Sequence, residues 1–162
     1  MRVIRYVKIF LVLAVGFWGL GGVVGNLSHL SEVYDTVREV TSMSGVPEGV
    51  GPPWRTSSAL VVWLGVATIV LGKVAAVMGG LGGIAMWRNV NASASDFNRS
   101  KTWAIAGCGL AFGLLMFGFT IAAESTFFMF YNATLAGAGE LAFRFAGSFA
   151  LVTILVAQPE PD

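Results

Sequence analysis

Charge is scarce in this sequence: only 12% of its 162 residues are Asp, Glu, Lys or Arg, about half the share of a soluble domain. Ten basic residues against nine acidic leave a net charge of +1, so there is no concentrated basic face of the kind that neutralises phosphates, and nucleic acid is not an expected partner. Cysteine is nearly absent too. The single one, Cys108, excludes an intramolecular disulfide framework and a cysteine-clustered metal site. The single histidine, His29, removes the usual basis for zinc, bis-histidine haem or a serine–histidine triad. No glycine-rich phosphate loop follows a strand-like run. Neither an enzymatic activity nor a cofactor, metal or catalytic residue is expected.

What the sequence has in abundance is apolar surface, at 56% of residues, and 21 glycines. A hydrocarbon core of ~30 Å needs about 20 mainly apolar residues, and such runs occur at residues 7–24, 59–87, 102–123 and 141–157. The expected fold is all-α: a single membrane domain, residues 1–162, formed by a four-transmembrane-helix bundle. Arg2, Arg5 and Lys8 before the first run resemble the basic start of a signal peptide. No small-x-small cleavage site follows, so the run reads as a retained span.

Orientation follows from Lys and Arg. Arg2, Arg5 and Lys8 precede the first span, and Arg88, Arg99 and Lys101 occupy the loop 88–101, whereas loop 25–58 and the 124–140 connection are acidic. Both termini and loop 88–101 are therefore expected in the cytoplasm. Trp54, Trp87, Trp103 and Tyr131 read as interfacial anchors, and Phe127 to Tyr131 as part of an aromatic belt.

In the outer loop, Leu27, Leu30, Val33, Tyr34, Val37 and Val40 recur every three or four residues, with Glu32, Asp35, Arg38 and Glu39 between them. That is one apolar face of a short amphipathic helix. Pro47, Pro52 and Pro53 then end it. The tail 158–162, with Pro159 and Pro161, reads as extended and mobile.

Helices in lipid associate through close backbone approach, and small residues recur every four positions at Ala75, Gly79 and Gly83, at Gly109 and Gly113, and at Ala146 and Ala150. These read as packing faces. Lys73, in the middle of the second run, needs protein, water or a route to the headgroups. Three readings stay open for it: snorkelling, pairing with a carboxylate of another chain or a lipid phosphate, or a transport site with Thr68. Glu140 lies four residues before Arg144, the favourable order for a helical ion pair, and Glu124 is expected to join them in one structural cluster. Cys108 reads as an inert packing residue.

Several short strings, taken in order, carry a resemblance. Gly25-Asn26-Leu27-Ser28, Thr41-Ser42-Met43, Trp54-Arg55, Phe97-Asn98-Arg99-Ser100-Lys101, Gly118-Phe119, Glu124 with Met129, and Ala142-Phe143-Arg144-Phe145 resemble the predicted small integral membrane proteins grouped as domain of unknown function 2165. The resemblance covers nearly the whole chain and implies a four-span protein of the bacterial inner membrane, without implying any particular activity. The leading functional expectation is a non-catalytic accessory or stabilising subunit of a larger inner-membrane complex, respiratory or photosynthetic, whose partners are membrane lipids and other membrane-protein subunits. The alternatives are a small transporter or channel using Lys73, and a lipid- or quinone-binding protein.

Overall fold

The computed structural model describes residues 2–161. Arg2–Ser28 form α1, Leu30–Thr41 α2, Ala59–Arg88 α3, Ala94–Ser100 α4, Thr102–Leu115 α5 and Ala133–Ala157 α6. Between α5 and α6 the chain continues as a π-helical segment, Met116–Thr126, and a single 3-10 turn, Met129–Tyr131. Among the described residues there is no strand. Four helical stretches, Arg2–Ser28, Ala59–Arg88, Ala94–Thr126 and Ala133–Ala157, are long and apolar enough to cross a membrane, and α2 is the amphipathic helix of the first long loop. The fold class read from the sequence is the one observed.

The spans are longer than hydropathy marks them. α1 begins at Arg2 because its three basic residues sit on one continuous helix with the apolar run that follows. α6 begins at Ala133 rather than 141, since Asn132 Oδ1 accepts from the backbone N–H groups of Thr134 and Leu135, at 3.0 and 3.3 Å, and caps a first turn of small, weakly apolar residues.

α3 is the centre of the bundle, flanked by α1 and α5, with α6 closing the other side of α5. Glycine makes this possible at two kinds of contact. Gly16 of α1 faces Gly80 of α3, and Gly79 and Gly82 of α3 face Gly107 and Ala104 of α5, so closely that a methyl group on Gly16, Gly80, Gly82 or Gly107 would overlap backbone atoms opposite, and one on Gly79 would press on Cys108. Gly79 and Ala75 thus lie at the α3–α5 seam, Gly83 lies against Val12 and Leu13, and Ala146 is buried on α6 with Ala150 half-buried beside it. Gly109 only grazes Thr153. Gly113, expected on a packing face, has open space where its side chain would be, because the helix rotation that seats Gly107 against Gly79 turns Gly113 outward.

The chain ends meet. Lys8 of α1 and Lys101, between α4 and α5, are both almost wholly buried, and both donate to the Gln158 carbonyl at 2.8 Å. Glu160 lies 2.6 Å from Lys8 Nζ and 3.6 Å from Lys101 Nζ. Asn98 closes the arrangement, accepting from the Glu160 N–H at 2.9 Å and donating to its carbonyl at 3.1 Å. Arg5, stacked over the Phe97 ring, donates to the carbonyls of Val90 and Ala92 and ties down the same end. Of the tail read as mobile, residues 158–161 are therefore docked, and Asp162 lies outside the described residues: the prolines prevent a helix, and the two lysines supply what holds this segment. Burial works to raise the Glu160 pKa, but the Lys8 hydrogen bond and the charges of Lys8, Lys101 and Arg5 outweigh it and hold the carboxyl below its ordinary range.

Candidate functional site

At the end opposite the termini the helices splay. α1 stops at His29, whose φ of −124° breaks the helix, and α2 leaves at a new angle to lie across α3. Val37 packs there against Val62 and Val66, and Tyr34 against Trp63. On the other side α5 passes into the π-helical segment, where Phe127 N–H donates to the Ala122 carbonyl and the hydroxyls of Ser125 and Thr126 donate five residues back, to Thr120 and Ile121. A π-helix is wider than an α-helix and packs less evenly, and such segments recur at functional sites. With α2 drawn to one side and this bulged segment on the other, a gap is left between them.

That gap is a cavity of about 690 Å³. Val33 and Val37 of α2, Leu64 and Thr68 of α3, Phe117 and Ala122 of the π segment, and Leu135 and Ala138 of α6 form its walls. Leu64 and Phe117 also face outward, so the cavity communicates with the membrane side of the bundle between α3 and the π segment, while His29, Glu32 and Thr36 stand at its exposed end. A second space of about 210 Å³ continues from it toward the middle of the bundle, the two sharing Asn26, Thr68, Ile69, Gly118, Phe119 and Ala138. Lys73, Trp18 and Phe145 line this inner part.

Lys73 is held against an aromatic ring. Its Nζ sits 3.2 Å from the centroid of the Trp18 ring, a cation–π contact. Trp18 is fixed in turn by Phe145 and Phe149, each 4.9 Å away centroid to centroid. Gly22 makes room: a Cβ there would lie 2.6 Å from Lys73 Cδ. Among the described residues no carboxylate pairs with Lys73 and no acceptor takes its protons. Asn26 Nδ2 is also buried without a hydrogen-bond partner. Thr68, by contrast, has spent its proton on the Leu64 carbonyl, at 2.9 Å. The inner cavity is therefore an apolar space with two idle donors at its polar end, Lys73 and Asn26.

The other sequence-derived residues fall elsewhere. Glu140 and Arg144 form a 3.8 Å ion pair on the outward face of α6. Glu124 does not join them: its carboxylate lies against the backbone of Gly139, on the bundle side of α6, and only the missing side chain there admits it. Helix periodicity put Glu140 and Arg144 together, but the π segment rotates Glu124 away from them. Trp54 and Tyr131 stand exposed at the end opposite the termini, where Trp54 Nε1 donates to the Thr126 carbonyl, and Trp87 and Trp103 stand exposed at the terminal end. Phe127 lines the large cavity, whereas Phe128, Phe130 and Tyr131 stack on one another. Cys108 is buried against Gly79. Asn26 and the lysine–tryptophan pair were not singled out as a unit by sequence. Asn26 stands in one of the strings that carry the family resemblance, but as a residue it shows in the sequence only as a polar amide close behind an apolar run.

The sequence pattern that defines the predicted small integral membrane proteins, domain of unknown function 2165, matches residues 4–159, and the chain belongs to that family. No curated protein and no solved structure matches it.

Proposed function

We propose that this member of the family of small integral membrane proteins binds a lipid-like ligand in the cavity between α2, α3, the π segment and α6, by means of an acceptor head group placed at Lys73 and Asn26. The observation that carries this is the combination of the unsatisfied Asn26 amide with a lysine that has an aromatic face but no acceptor, both on one apolar cavity. A buried donor left unmade costs about 1–3 kcal/mol. A carbonyl, carboxylate or phosphate oxygen would relieve that cost, and an apolar body would fill the wider space along Val37, Leu64 and Phe117. Quinones and lipids both have this build. The reading is one of binding, without turnover: nothing beside Lys73 offers a paired acid and base.

Passage across the bilayer has less support. On the terminal side of Lys73, α3 is pressed against α1 at Gly16 and Gly80 and against α5 at Gly79 and Gly107, which weighs against a continuous path. An accessory place in a larger bacterial inner-membrane assembly draws on one observation only, the ion pair on the membrane-facing side of α6.

Native mass spectrometry of the protein released from its own membranes tests the proposal. A bound amphiphile retained by the wild type and lost from Lys73→Met, which keeps the stem and removes the charge, is the expected result. A wild-type protein that is folded and carries no more adduct than Lys73→Met would overturn it.

A further inference from the structure

At the terminal end, on the lipid side of the α3–α5 pair, a hollow of about 310 Å³ is walled by Met78 and Leu81 of α3 and Trp103 of α5. Gly82 forms its floor: with no side chain there, α3 comes down onto the Ala104 backbone, and the larger residues beside it are left standing as walls. Leu81 and Trp103 are both exposed, so the hollow opens toward lipid. Two arginines stand over it. Arg88 follows Leu81 by two helical turns, and Arg99 precedes Trp103 by one. The buried residues Ala94, Phe97, Lys101, Ala104 and Cys108 recur every three or four positions, so α4 continues the register of α5 and turns Arg99, like Trp103, away from the bundle. α3 and α5 run in opposite directions past the Gly82–Ala104 contact, which sets Arg88 and Arg99 at one level, ~8–9 Å beyond it.

The chain itself fixes the depth of that level. Residues 89–93 turn between the two arginines, and such irregular backbone does not face hydrocarbon. α3 has 30 residues, ~45 Å of helix, and so carries its last turn into the headgroup layer. Among the described residues neither guanidinium has an ion pair. The two described carboxylates at this end are already engaged, Asp96 by the Ser93 hydroxyl at 2.7 Å and Glu160 by Lys8 at 2.6 Å.

We infer that this hollow holds an anionic phospholipid, with its phosphate between Arg88 and Arg99 and an acyl chain against Met78, Leu81 and Trp103. Charge and layout select the occupant together. Two guanidiniums without a carboxylate match a net negative head and not a zwitterionic one, whose own ammonium would meet them. An acidic protein would match the charges alone. The apolar hollow lies beneath the arginines, toward mid-bilayer, on a face bordered by lipid, and that order of polar and apolar parts is the order within one phospholipid. The site is at the opposite end of the bundle from the large cavity and does not rest on the reading of Lys73.

The experiment places the full chain in nanodiscs of phosphatidylcholine with a minor share of phosphatidylglycerol, and identifies by native mass spectrometry the lipid that stays bound on release. Phosphatidylglycerol is expected to be enriched about tenfold over its share of the disc, the order that two arginines near an anionic head supply. Arg88→Gln combined with Arg99→Gln should abolish the enrichment. Arg2→Gln removes one charge from the same end but on α1, across α3 from the hollow, and should leave it intact. Lys73→Met should leave it intact as well. Met78→Trp fills the hollow while keeping both arginines and should also abolish it, which decides the matter where the double variant fails to fold. No enrichment in the wild type, enrichment that survives either the double variant or Met78→Trp, an equal loss in Arg2→Gln, or a loss in Lys73→Met would each overturn the inference. So would an acidic membrane protein that is recovered with the wild type and lost from the double variant while the lipid shows no enrichment.

Discussion

Lys73 and Trp18 are a mated pair: the lysine approaches from α3 with its ammonium 3.2 Å from the indole centroid, and the indole approaches from α1 with its edges set by Phe145 and Phe149 of α6. Three spans therefore meet around one cation. Trp18→Leu removes the ring face and part of the packing of a half-buried aromatic, and is expected to cost about 1–3 kcal/mol, less than truncating a fully buried one to alanine. Trp18→Phe keeps a weaker ring face and should lose less than half as much. Thermal unfolding in mild detergent measures both; equal losses would mean that the ring face retained in Trp18→Phe contributes nothing.

Gly22 separates the lysine's position from its charge. Its substitution by Ala places a methyl against Lys73 Cδ, where the flexible stem can yield and draw the ammonium off the Trp18 ring. Ligand retention is expected to fall while the unfolding temperature moves only slightly, since the displaced atoms belong to a side chain and not to backbone. Native mass spectrometry beside a melting curve reads the two effects separately.

Glycine contacts give a paired test of the bundle. Gly107→Ala must push α5 off the Gly79 backbone of α3 and is expected to destabilise by several kcal/mol or block accumulation, an overpacking effect at the rigid seam. Gly113→Ala adds a methyl to open space and is expected to be neutral or to stabilise by up to about 1 kcal/mol through helix propensity. Both glycines look alike in the sequence, so opposite results would locate the α3–α5 seam.

How far the sequence reaches is clear from these residues. The four spans and the amphipathic α2 are legible because lipid demands long apolar helices and because a half-buried helix must alternate every three or four residues. Which glycine faces which helix is not, since it depends on helix rotation; Gly79 and Gly113 sit in the same small-xxx-small patterns and meet different surroundings. Lys73 announces that it needs company, but the company is an aromatic ring on another helix, not a carboxylate. The cavity depends on a helix that widens at Met116–Thr126, where Gly118 is the weakest helix former and nothing in the pattern distinguishes it from the glycines of the regular spans. Lys8, Lys101 and Glu160 come together from the start, the interior and the end of the chain, and no local pattern records that pairing.

The tail clamp carries a pH dependence with a definite sign. Glu160 has a folded-state pKa held below its ordinary value, so the unfolded chain binds its proton first as pH falls. The stabilisation it supplies is complete above the usual carboxylate range, near pH ~4.3 and higher, and is lost as the pH drops through the folded value. Glu160→Gln should remove it at every pH, leaving Lys8 and Lys101 buried without their counter-charge, at a cost of about 1–3 kcal/mol. Because Gln158 and Asn98 still accept from the lysines, the bundle is expected to hold while the tail comes loose. Hydrogen exchange of the Glu160 amide, which donates to Asn98, reads this directly: the wild type should be protected at pH 7 and approach the Glu160→Gln rate, corrected for intrinsic pH dependence, only in acid. Protection that is the same in both proteins at pH 7 would show that the prolines and backbone contacts hold the tail without the carboxylate.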